Sequence, residues 1–290
     1  MVMELEGQPE IEQVTTDVDG IPVSVWRAGN RGTNVVLIHG GGVDSALLSW
    51  REAIPFLAQN HRVYAPDLPG YGATPFRQGT GSLDFYIPFL EALLERLGLP
   101  RVNLAGISMG GSISLGYALK NPSRVESLVL VDSYGLADRV PAHFLSWLTI
   151  KTPGVISMSY AMMRKSRAML RWSAKTLLGG PKLLTDSMVA ELEDAIADAG
   201  AARAFSEFQQ DELKLGRLKT CYMDRLHEIQ APALIVHGSE DSLVPLKYAQ
   251  EATRRIPGAK LTVLEEAGHW PMRACPEQFN LALERFYSSL

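Results

Sequence analysis

Two kinds of apolar spacing alternate along this chain. Short, near-continuous apolar runs occur at 35–38, 63–65, 102–105, 128–131, 233–236 and 261–264. Runs this short, with no polar alternation inside them, are expected of strands buried on both faces of a parallel sheet. Between them lie stretches of helical periodicity near 47–59, 82–97, 109–120, 246–256 and 276–288. This alternation predicts an α/β fold built on a mostly parallel, doubly wound sheet. Ahead of it, residues 11–18 and Val23–Trp26 flank the turn signal Asp19-Gly20 and predict an antiparallel hairpin.

The rhythm breaks once. Residues 132–232 contain no such apolar run, and a compact domain does not carry a structureless loop of that length. Helical patterns fill the gap at 143–150, 156–177, 185–198 and 201–215. The expected organisation is therefore a core of residues 1–134 and 226–290 with a helical cap, 135–225, inserted into it. There is no internal repeat and no low-complexity segment.

Composition narrows the class. The chain has 290 residues, 46% of them apolar and 21% charged, with a formal net charge of -4. That balance offers no basic footprint for nucleic acid. The two cysteines, Cys221 and Cys275, form no CxxC and fit a reducing compartment. The acidic start MVMELEGQPEIE lacks the apolar region of a signal peptide, and no apolar run is long enough to span a membrane. These features predict a cytoplasmic monomer or homodimer acting on a small molecule.

The chemistry concentrates in a few segments. Gly106-Ile107-Ser108-Met109-Gly110 follows a predicted strand and opens a predicted helix, the context in which G-x-S-x-G marks a nucleophile. A sharp strand-to-helix turn leaves no room for a Cβ on either flank, and the helix start points N–H groups at the reacting centre. A serine hydroxyl needs a positioned base. His269, just past the last predicted strand, is the candidate among six histidines. The base needs a carboxylate in turn. Asp241, after the run 233–236, is favoured, with Glu240 beside it and Asp132 after the run 128–131 as rivals. His39-Gly40-Gly41-Gly42 follows the first core strand, and its glycines allow backbone N–H groups to approach an oxyanion. Gly41 and Met109 are the expected donors. The remaining histidines show no ligand spacing and no HExxH occurs, so neither metal nor cofactor is expected.

Together HGGG at 39–42, DLPGYG at 67–72, GISMGG at 106–111, HGSED at 237–241 and GHW at 268–270 resemble the α/β-hydrolase-fold serine hydrolases over essentially the whole chain. The resemblance implies an α/β-hydrolase fold and a carboxylesterase-like reaction through an acyl-enzyme on Ser108, on esters of small to medium apolar acyl groups. It also implies that Asp67–Gly72 shapes the oxyanion loop. His269-Trp270, Pro276–Asn280 and HGGG are similar to the carbon–carbon bond hydrolases of meta-cleavage products. That group commonly has Asn where Ile107 stands and Pro-Gly where Val43-Asp44 stands, and no cap arginine aligns to hold a dienoate carboxylate. A ligand receptor of the same fold is the third reading. In the cap, Phe144, Trp147, Met158, Tyr160, Met162, Met163, Met169 and Trp172 are either pocket wall or the cap's own core. The acid-free run Arg164–Lys175 reads as a solvated helix face, with an anionic substrate or a membrane surface as the alternative.

Overall fold

The computed structural model describes residues 2–3, 9–180, 183–197 and 199–290. Nine strands form one sheet: β1 (Val2–Met3), β2 (Ile11–Val18), β3 (Ile21–Ala28), β4 (Asn34–Ile38), β5 (Arg62–Pro66), β6 (Val102–Ile107), β7 (Val125–Val131), β8 (Ala233–Gly238) and β9 (Lys260–Leu264). Their spatial order is β1-β2-β3-β5-β4-β6-β7-β8-β9. Strands β1, β2, β3 and β5 pair antiparallel, and β5-β4-β6-β7-β8-β9 pair parallel. The predicted hairpin is β2–β3, longer than its apolar run suggested, with Val18 opposite Ile21.

The central strands follow the two-faced burial read from the sequence. All six residues of β6 are buried. Val36, Ile38, Leu104 and Leu130 pack on one face against α3 (Leu83–Arg96) and α4 (Met109–Lys120). Val35, Leu37, Ala105 and Val129 pack on the other, against α1 (Ala46–Trp50), α2 (Ala53–Leu57) and α12 (Pro276–Tyr287). The period-2 alternation assigns each apolar side chain to one layer, and burying each large one is worth about 1.5–3 kcal/mol. Helix α10 (Leu246–Arg255) and the short α11 (Pro271–Ala274) complete the core.

Between β7 and β8 the chain forms α5 (His143–Lys151), α6 (Val155–Lys165), α7 (Arg167–Leu178), α8 (Asp186–Ala197) and α9 (Ala199–Glu212). Two predicted helices are split. The stretch 47–59 forms α1 and α2, and 156–177 breaks at Ser166, whose Oγ accepts the Met169 N–H at 3.3 Å and so caps α7. An ion pair ties this helical segment to the core: Glu191 of α8 meets Arg51, and Arg273 Nη2 lies 2.8 Å from its Oε2. Among the described residues no helix is long and apolar enough to cross a membrane.

The chain order reverses around β4, with β5 on one side and β6 on the other. In open α/β sheets the crevice for ligands lies at such a switch point, outside the carboxyl ends of the strands. Here those ends are Ile38 and Ile107, which lead into the glycine loop at 39–42 and into Ser108.

Candidate active site

Ser108 stands between β6 and α4 with φ 51° and ψ -118°, a region that L residues rarely adopt. The surroundings hold it there. Its N–H donates to Val131 O at 3.0 Å, and its carbonyl accepts the Tyr134 N–H at 3.0 Å. A Cβ on Gly106 would lie 2.2 Å from Gly110 O, and one on Gly110 would lie 2.4 Å from Ile38 O. The two glycines of the motif are therefore required by backbone contact, while the strained torsion falls on the serine between them. Met109 is the first residue of α4, where an N–H has no intrahelical acceptor.

A cavity of about 570 Å³ lies over Ser108. Gly40–Asp44 form its wall on the β4 side, and His269 and Trp270 close it on the β9 side. Ser108, His269 and Gly41 thus face one space. Helices α5 to α9 and Leu243 after β8 supply the rest, with Leu145, Ile156, Tyr160, Met163, Leu170, Leu177, Leu192 and Phe205 among the lining residues. Phe205 packs directly over Gly41. Of the aromatic and methionine residues singled out in the sequence, Tyr160 and Met163 line this cavity, whereas Phe144, Met158, Met162 and Trp172 are exposed.

His269 Nδ1 is 2.8 Å from Asp241 Oδ2. Asp241 Oδ1 accepts the N–H groups of Leu243 and Val244 at 2.7 and 3.1 Å. Burial opposes the charge of Asp241, but the facing imidazole and these N–H groups outweigh it and hold the carboxyl below its usual range. Asp132 lies in the same cluster: its carboxylate, that of Asp241 and a ring nitrogen of His269 have ligand atoms within 4.8 Å of one another. Its Oδ1 accepts the Gly238 N–H at 3.0 Å, and its Oδ2 is buried without a partner. Burial, and then the charge of Asp241, push its pKa well up. The hydrogen bond to the imidazole belongs to Asp241.

His39 does not face the cavity. Its Nε2 accepts the Leu68 N–H at 2.9 Å and its Nδ1 donates to Gly40 O at 2.7 Å. Burial lowers its pKa to about 4, so the neutral ring ties the glycine loop at 39–42 to the Asp67–Gly72 loop. His237 is likewise buried and holds Val244 O at 2.8 Å.

Two features carry no motif. The first is the seating of His269. Gly268 N–H donates to Leu178 O at 2.9 Å and Trp270 N–H to Leu177 O at 3.1 Å, so the last turn of α7 grips both neighbours of the histidine. Close approach enforces this: a Cβ on Gly268 would lie 2.5 Å from Gly179 N, and one on Gly238 would lie 2.1 Å from Gly268 O. Nothing in Leu177-Leu178-Gly179 marks it as more than an ordinary helix end.

The second is Asp44, the first acid after the glycine run. It lines the cavity, accepts the Gly40 and Ser45 N–H groups at 2.7 Å each, and lies 2.8 Å from Ser49 Oγ. Burial raises its pKa to about 7 despite these bonds. The folded chain therefore binds this proton more tightly than the unfolded chain, and stability falls as pH rises from the ordinary carboxyl range through about 7. Asp44→Asn cannot ionise. Its melting temperature relative to the unaltered protein is expected to rise by several degrees between about pH 5 and about pH 8. A constant difference across that range in thermal melts would show that Asp44 does not titrate there.

The alpha/beta hydrolase fold family model matches residues 33–272. The chain is 32% identical to the dihydrolipoyllysine-residue acetyltransferase component of an acetoin cleaving system from Pseudomonas putida, over 89% of this chain and 64% of that one, so it spans less than two thirds of that relative. It is 30% identical to the pimeloyl-[acyl-carrier protein] methyl ester esterase of Aeromonas hydrophila, over 91% of this chain and 98% of the other. It is 29% identical to a 2-hydroxy-6-oxo-2,4-heptadienoate hydrolase of Pseudomonas putida, over 87% of each.

Proposed function

The chain belongs to the α/β-hydrolase family, and on that premise we propose that it is a serine hydrolase cleaving carboxylic esters of small to medium apolar acyl groups. Ser108 Oγ attacks the acyl carbonyl while His269 takes its proton. Asp241 fixes the imidazole tautomer and stabilises the imidazolium. The N–H groups of Gly41 and Met109 receive the oxyanion. His269 then protonates the leaving alcohol, and water activated by the same ring releases the acid from Ser108. Helices α5 to α9 act as the cap.

The observation that carries this reading is the chemistry of the cavity wall. Among the described residues no Lys or Arg lines it, and its acid, Asp44, is one that burial keeps mostly neutral below about pH 7. A carboxylate entering that space would lose its hydration without gaining a Lys or Arg partner. An uncharged ester loses little. The volume suits a medium acyl or aryl group. The same wall weighs against dienoate cleavage, the reaction of one relative, whose substrate carries a carboxylate.

Initial rates on p-nitrophenyl acetate, butyrate and octanoate, run beside a 2-hydroxy-6-oxo-dienoate, test the proposal. We expect kcat/KM for the preferred ester to exceed that for the dienoate by at least about 10²-fold. The reverse order would make the enzyme a carbon–carbon hydrolase, and negligible turnover of both would favour the receptor.

A further inference from the structure

The cavity opens beside α5 and α6: Leu145 and Thr149 on α5 and Ser159 on α6 line it and are exposed, as is Leu243 after β8. Its outer rim is apolar. Leu145 is 63% exposed and Leu148, one turn on, 47%. Met158, next to Ser159, and Met162, one turn beyond Met158, are 58% and 48% exposed. Single exposed apolar side chains are ordinary, but a cluster around a cavity mouth marks a docking face.

Charge says what would dock there. From Arg139 to Thr185 the sequence holds eight Lys and Arg residues and no Asp or Glu, within a chain of net charge -4. Arg167 and Arg171 pair with Glu193 and Asp186 of α8. Arg164 and Lys165, at the end of α6, are exposed and in no ion pair among the described residues. Lys165 lies three residues beyond Met162, on the same helix face. Apolar side chains flanked by unpaired cations match an anionic lipid surface, whose headgroups take the cations while the interface takes the apolar groups. A second copy of this chain fits less well, since two such faces would oppose like charges.

We propose that the α5–α6 rim seats the enzyme on an anionic lipid surface and admits apolar esters from it into the cavity. The benefit of docking rests on the ester-hydrolase reading; the docking itself does not. Sedimentation with phosphatidylglycerol vesicles at low salt is expected to bind the protein about tenfold more than phosphatidylcholine vesicles do, and high salt to weaken it. Leu148→Glu with Met162→Glu, and separately Lys165→Glu, are expected to lower vesicle binding several-fold. Hydrolysis of a water-soluble ester should stay as in the unaltered protein, since none of the three lines the cavity. Equal binding to both vesicle types, or binding indifferent to these substitutions, overturns the proposal. So does a dimer in light scattering that the same substitutions dissociate, with no vesicle binding. Failure of the unaltered protein to hydrolyse any soluble ester would sink the ester reading instead and leave the vesicle result intact.

Discussion

Ser108→Ala is expected to lower kcat on p-nitrophenyl butyrate by about 10⁶-fold, the scale on which a lone nucleophile is lost from a serine–histidine–aspartate set. The fold should survive. Alanine at φ 51° is strained as serine is, and the bonds that hold the turn, Val131 O to the Ser108 N–H and the Tyr134 N–H to Ser108 O, come from the backbone. The melting temperature of the variant should therefore lie close to that of the unaltered protein, which separates loss of chemistry from loss of structure. A fall of less than about tenfold would mean that another group attacks the ester.

Asp241→Asn is expected to cut kcat by about 10⁴-fold, with Asp132→Asn staying within about tenfold. The geometry sets the contrast. An amide at 241 would turn a donor toward His269 Nδ1, 2.8 Å away, and force the wrong tautomer on the ring proposed to accept the serine proton. The carboxyl at 132 makes no hydrogen bond to the imidazole, and asparagine keeps an acceptor for the Gly238 N–H. Steady-state kinetics with thermal melts on both variants decide it. A near-normal Asp241→Asn beside an inactive Asp132→Asn would transfer the role to Asp132.

What the sequence made legible follows from how local each constraint is. The serine turn is one short stretch in which Gly106 meets Gly110 four residues on, so its glycines appear as a contiguous motif even though Gly110 also meets Ile38 of the neighbouring strand. The buried strands announce themselves because each residue answers only to which layer it faces. The sequence favours Asp241 but keeps Asp132 as a rival, because both follow parallel strands that are neighbours in the sheet, β7 and β8. Only the path of the loop after β8 directs the second carboxylate at the histidine. The break in the predicted helix 156–177 was hidden because the apolar period continues through Ser166, and a serine cap is weak evidence against it. Asp44 stood out only as a departure from a related pattern; its raised pKa comes from burial supplied by distant segments. The cation-free wall is of the same kind, since it is a property of which faces five helices turn inward.

The grip of α7 on the histidine loop bears on how such a protein diversifies. Were the inserted helices only a pocket, they could be exchanged like a glove, changing substrate and leaving reactivity alone. Here the carbonyls that seat Gly268 and Trp270 belong to the same helix whose Leu170, Ala174 and Leu177 touch whatever fills the cavity. A transplanted insert would have to bring that helix end, and its glycine, at the right height. Selectivity and turnover are thus inherited as one piece, and a lineage changing its diet must retune both at once.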